Sequence, residues 1–297
     1  MSGSVLYDAP GPRTRRIERI ASIGVAILLL AVLAWVFKGM VDRGLFDSRW
    51  EVFSDPPKGQ SAADVWRSLL VVGLGATLRA AATAAPLAFA LAIILAVLRT
   101  SRLRLVSGLA TAVIELLRGL PVLLMMFFGQ LALGLTAFEA VIFGLVLYNA
   151  AIVAEIIRAG LAALPKGQVE AGTAVGLTRW QTLRIVQLPQ VLRLMLPSLI
   201  SQFVVLLKDT SLGFIVGYQE LLRMMQLNYS FFGDQYRFPL FVVVLSIYLI
   251  VNFTLTRVAI IVDRRLAERG QRADKLDPNA VVAVPHNIGR DQSASAP

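Results

Sequence analysis

The chain has no cysteine, and only one of its 297 residues is a histidine. Without cysteine there is no disulfide, no thiolate metal site and no thiol nucleophile. The one imidazole, His286, lies in a polar tail, so neither a histidine-based catalytic site nor a metal cluster is expected. Charge is also sparse. Asp, Glu, Lys and Arg make up 16% of the residues, whereas a soluble domain carries about 25%. No Gly-x-x-x-x-Gly-Lys-Ser/Thr phosphate loop occurs, which removes the P-loop route to ATP. The short alternating segments of a transmembrane β-barrel are missing too.

What is present is apolar. Hydrophobic residues make up 57% of the chain and the mean hydropathy is +0.69. Several apolar runs approach or exceed the roughly 20 residues that cross a bilayer as a helix. The fold class is therefore an all-α membrane protein of about six transmembrane helices. The net charge of +10 is explained by basic loops on one side of a membrane, and no nucleic-acid partner is expected.

Residues 1–19 form a basic N-terminus with Arg13, Arg15, Arg16 and Arg19. The run Ile20–Phe37 reads as an uncleaved first span rather than a signal peptide, because Lys38-Gly39-Met40 follows it without a small-residue cleavage site. Residues 20–63 hold this span and a polar loop with the turn Asp55-Pro56-Pro57-Lys58-Gly59. Val65–Leu98 is too long for one ideal span; it divides into an interfacial part around Val65–Gly75 and a span from about Ala76. A third segment, Leu105–Leu133, is broken at Arg118-Gly119-Leu120-Pro121, and a fourth runs from Ala137 to about Ile157. The fifth runs from Leu192 to about Val216 and the sixth from Phe238 to Val262, separated by an aromatic-rich loop at 217–237. Residues 263–297 form a charged tail, expected to be partly disordered from about Gly270. Lys and Arg crowd the termini, the Arg99–Arg104 turn and the central loop, while the opposite loops hold only Lys38, Arg43, Arg49, Lys58, Arg223 and Arg237. This bias places both termini and the central loop in the cytoplasm.

The central loop, at about 159–189, is polar, marked by glycine and helical in pattern. It reads Glu170-Ala171-Gly172, then Gly176, then Val186, Leu188 and Pro189. The series resembles the cytoplasmic coupling loop of bacterial ABC importer permeases, whose pattern is Glu-Ala-Ala, Gly, Ile and Leu-Pro. Gly172 for Ala and Val186 for Ile are its two departures. Small side chains at Ala171, Gly172, Ala174 and Gly176 suit a helix that enters a groove closely, and Glu170 offers a charge to basic groups there. Pro189 is read as ending this helix and starting the next span. The plainer reading is an amphipathic loop helix packed on its own bundle.

Other segments resemble the polar amino-acid branch of these permeases, in order: Thr77-Leu78-Arg79, Glu115 to Pro121, Ala154 to Gly160 with Pro165-Lys166-Gly167-Gln168, and Leu207-Lys208-Asp209-Thr210-Ser211-Leu212. The run from Lys208 to Leu222 is most similar to permeases of glutamate importers. The resemblance covers residues 64–262 and implies a five-helix permease domain preceded by one added helix. It also implies a multi-pass subunit of the bacterial plasma (inner) membrane that is not itself an enzyme. Two separate ATP-binding cassette subunits would bind ATP and Mg, with no cofactor on this chain. A second permease, homologous or identical, and an extracytoplasmic solute-binding protein would complete the importer in the lipid bilayer. The alternative is an ion-coupled secondary transporter or channel without an ATPase, with Lys208, Asp209 and Glu155 as its coupling groups.

Polar residues inside the spans are the candidates for a substrate pathway, since a charge at mid-bilayer costs roughly 2.5–3.5 kcal/mol on insertion scales. Lys208 and Asp209, followed by Thr210 and Ser211, fall in the outer half of the bilayer. Gln202 precedes them, and Asn149 lies mid-span in segment four. The plainer reading is a structural inter-helix salt bridge at Lys208 and Asp209 and interhelical hydrogen bonding at Asn149. Glu115 with Arg118 and Glu155 with Arg158, each spaced i, i+3, read as structural pairs.

Overall fold

A computed structural model describes residues 11–275; the remaining N-terminal residues and the tail, including His286, lie outside the described residues. The helices are α1 (Pro12–Asp42), α2 (Ala62–Arg99), α3 (Arg104–Gly119), α4 (Val122–Ala132) and α5 (Ala137–Ala163). There follow α6 (Gly167–Ala174), α7 (Arg179–Leu194), α8 (Leu196–Phe214), α9 (Leu221–Phe232) and α10 (Arg237–Lys275). No strand occurs among the described residues. Four helices are long and apolar enough to cross a membrane, and two bent pairs, α3 with α4 and α7 with α8, raise the number to six.

Local chemistry explains where the helices start. Ser61, Thr136 and Thr178 each accept a hydrogen bond from the backbone N–H three residues on, while the side-chain oxygens of Asp64, Glu139 and Gln181 each accept one from the cap's own backbone N–H. The α3–α4 pair bends by 100° at Leu120-Pro121, the break expected from sequence. Three expectations are corrected. Val65–Leu98 is one continuous helix, because a π-helical turn at Arg67–Gly73 absorbs the misfit at its start. The aromatic-rich loop contains α9, whose buried Leu221, Asn228 and Phe232 share one helical face. Finally, α10 runs past the boundary at 262 to Lys275, through the Gly270 expected to start disorder.

The chain forms two compact units. One comprises the described residues up to Leu69 with Met225–Val244; the other comprises Leu70–Met224 with the described residues from Leu245 on. In the first, α1 exposes its apolar residues all round, as Leu28, Leu30 and Trp35 show, a surface suited to lipid. Phe46 and Trp50 meet the Phe238 ring edge-on. In the second, α2 lays Ala80, Ala84, Ala88, Ala92 and Ala96 along one face against α5. Such small residues let helices approach closely where lipid supplies no hydrophobic drive. Helices α4 and α5 also approach closely at a glycine: a Cβ on Gly144 would lie 2.5 Å from Met126 Cγ and 3.1 Å from Val122 O.

Candidate functional site

Helix α6 carries the central motif. Its Glu170, Ala171 and Ala174 are exposed, and Glu170 has no ion pair among the described residues. The helix ends in a Schellman motif: Leu177 N–H donates to Gly172 O and Gly176 N–H to Thr173 O, both at 3.0 Å. Gly176 has φ 81° there, a conformation that favours glycine. Gly172 is turned inward. A Cβ on it would meet Thr182 Cγ2 at 2.7 Å and Oγ1 at 2.8 Å. Its small size therefore serves contact within the chain, unlike the exposed faces of Ala171 and Ala174. Gln190 Nε2 donates to Gln168 Oε1 at 3.0 Å, fastening α6 to α7 a second time.

Pro189 does not end a helix. Residues Thr182–Gln187 make a π-helical turn in which Leu188 N–H reaches Leu183 O. This wide turn precedes the proline, which has no N–H to offer, and α7 continues to Leu194. The 64° bend falls at Met195, with Pro197 opening the next helix. Leu188 packs on the cluster around Ala92, Ile157 and Val191.

Of the candidate pathway residues, the structure brings two together. Gln202 Nε2 donates to Asn149 Oδ1 at 2.8 Å, and Asn149 Nδ2 donates to Leu145 O at 2.8 Å. Both amides line a cavity of about 280 Å³ with Pro86, Phe89 and Phe203. Their pairing leaves Gln202 Oε1 and the second Asn149 N–H for a guest. Lys208, Asp209, Thr210 and Ser211 do not line it. Lys208 is exposed and Asp209 half-buried. Neither side chain makes an ion pair or hydrogen bond among the described residues, so the structural bridge considered from sequence is absent there. Thr210 is buried, with its hydroxyl donating to Leu207 O at 2.6 Å. Ser211 is half-buried at the start of the 3-10 turn.

The i, i+3 pairs are present, and one is larger than expected. Arg158 Nη2 lies 2.6 Å from Glu155 Oε1, and Glu155 also binds Arg99, which reaches Glu115 at 3.9 Å. This ties the end of α2 to α5 and α3. Sequence reasoning missed Glu220, which is fully buried. Its carboxylate accepts from the N–H groups of Leu222 and Arg223 at the start of α9 and from the Tyr248 hydroxyl at 2.7 Å. Thr77 Oγ1 takes the Leu221 N–H. Burial raises the Glu220 carboxyl above the usual range, against the lowering effect of these donors. The only signal in the sequence was an acidic residue just before an apolar helical face.

Comparison with known proteins gives consistent matches. The chain is 37% identical over 231 residues to the glutamate transport system permease protein GluD of Corynebacterium glutamicum, covering 75% of this chain and 82% of that one. It is 36% identical over 213 residues to a probable glutamine ABC transporter permease protein, GlnP, of Bacillus subtilis, covering 70% and 94%. A solved structure described as an amino acid ABC transporter with histidines superposes with a TM-score of 0.61 at 28% identity, covering 69% of this chain and 97% of that one. Residues 66–268 match the family described as binding-protein-dependent transport system inner membrane component, and the chain belongs to that family.

Proposed function

We propose that this chain is the membrane-spanning subunit of an ATP-driven importer of polar amino acids, with glutamate as the first candidate cargo. The observation that carries the reading is α6, which presents Glu170, Ala171 and Ala174 outward while Gly172 and Gln168 fasten it to α7. A short helix so held transmits a push to α7 without fraying. In this reading two ATP-binding cassette subunits grip α6 on each permease of a pair, and ATP and Mg stay on those subunits. A solute-binding protein delivers cargo to the opposite face, and both termini are cytoplasmic. The amide pair Asn149 and Gln202 supplies a donor and an acceptor for the amine and carboxylate of an amino acid near mid-membrane. The names of the relatives support glutamate or glutamine.

The test is ATPase activity of the reconstituted complex with glutamate, glutamine, histidine or arginine and the binding protein. Glutamate is expected to stimulate most; if it fails while another solute succeeds, the cargo assignment is wrong. Coupling is tested separately with Ala171→Trp, a bulky group on the exposed face of α6. Loss of assembly or of stimulated ATPase is expected, and unchanged values would remove the docking role.

A further inference from the structure

A cavity of about 530 Å³ opens between the end of α2 and the start of α7. Its apolar wall includes Val97, Leu98 and Leu183, and its rim carries Arg102, Arg179 and Trp180. We infer that this cavity holds an anionic phospholipid, with the phosphate on the two arginines and acyl chain on the apolar wall.

The charged donors in its lining are the guanidinium groups of Arg102 and Arg179. Thr100 already donates its hydroxyl to Val97 O at 2.8 Å, and Thr178 donates its hydroxyl to Gln181 Oε1 at 2.9 Å. Arg102 and Arg179 are exposed and make no ion pair among the described residues, whereas neighbouring Arg99 is held by Glu155. Two unpaired guanidiniums beside an apolar wall call for a ligand with both an anionic head and a hydrocarbon tail. The surroundings match that ligand. Leu103, in the turn after α2, and Leu105, in the first turn of α3, are 67% and 74% exposed, a surface that lipid covers and water does not. Trp180, 55% exposed, lies in the first turn of α7, and an indole there suits the boundary between headgroups and chains. A free anion would leave the leucines bare, and a neutral lipid would leave the arginines unpaired.

The test uses the purified full-length chain in neutral detergent, titrated with phosphatidylglycerol or phosphatidylcholine of the same acyl chains, with retained lipid counted by native mass spectrometry. Phosphatidylglycerol is expected to be preferred. Arg102→Gln and Arg179→Gln should each lower that preference about fivefold, and together about thirtyfold, the effect expected of one and two basic groups at an anionic surface. The pair Arg184→Gln/Arg193→Gln removes the same charge from α7 outside the cavity and should leave the preference largely intact. An unchanged preference in the Arg102→Gln/Arg179→Gln chain overturns the inference, as does an equal loss in the control pair. A double variant that keeps its lipid preference but no longer co-purifies with ATP-binding subunits assigns the face to a protein partner and likewise overturns it.

Discussion

Replacing Gly172 by alanine, the residue of the motif it resembles, is expected to harm this particular chain. Alanine favours a helix interior by about 1 kcal/mol over glycine. Against that gain, its Cβ would stand 2.7 Å and 2.8 Å from Thr182 Cγ2 and Oγ1. Thr182 is 1% exposed and its hydroxyl donates to Thr178 O at 3.1 Å. A β-branched side chain so placed has little room to rotate. Overpacking of this kind costs about 1–3 kcal/mol, so the net effect of Gly172→Ala is a loss of about 0–2 kcal/mol. Thr182→Ala removes both close contacts and leaves only the Cβ at 3.3 Å. In that background Gly172→Ala should be neutral or stabilising, giving a favourable coupling of about 1–3 kcal/mol across the cycle. Thermal midpoints of the four purified chains measure it, at about 2–4 °C per kcal/mol for domains approaching this size. Additivity within about 0.5 kcal/mol would refute the packing argument.

Three further outcomes follow from the same geometry. Gly144→Ala places a Cβ against Met126 and the Val122 carbonyl; a drop in midpoint worth about 1–3 kcal/mol is expected, and an unchanged midpoint would show that α4 yields easily. Glu155→Gln removes the charge that holds Arg99 and Arg158 and should cost about 1.5–3 kcal/mol, whereas Glu115→Gln at the exposed end should cost under about 1 kcal/mol; equal losses would contradict the ranking. For Glu220, burial raises the folded-state pKa, so the folded chain holds that proton more tightly than the unfolded chain. Its contribution is therefore full below the ordinary carboxyl value of about 4.3 and is lost as pH rises through the raised value. Glu220→Gln should flatten the fall of the thermal midpoint above pH of about 4.3, and identical slopes in both chains would dismiss the linkage.

The spans were legible because apolar runs of membrane length leave few choices, and the break at Leu120-Pro121 was marked by Gly119 and Pro121 on either side of Leu120. The i, i+3 acid–base pairs were legible because helical spacing alone brings them together. What stayed hidden depended on contacts distant in sequence. Asn149 and Gln202 meet across two helices, and no local pattern pairs them. Gly172 looked like an outward small residue because its neighbour Thr182 sits beyond a turn. Pro189 misled because a proline normally bars the helix interior, and only the wide turn before it lifts the bar. The helix at Leu221–Phe232 was masked by its aromatic content and by Asn228, a polar residue on its buried face.

The π-helical turn at Thr182–Gln187 holds one residue more than an α-helical turn of the same reach. Deleting one residue there would let the turn tighten and leave the downstream faces in register. The same deletion elsewhere in α7 would swing every later side chain by about 100°, turning Val191 away from Gly160, against whose backbone it packs. The turn is thus the place where the length of this stretch can change by one without moving the helix that follows. Single-residue gaps between otherwise similar chains are expected to gather there.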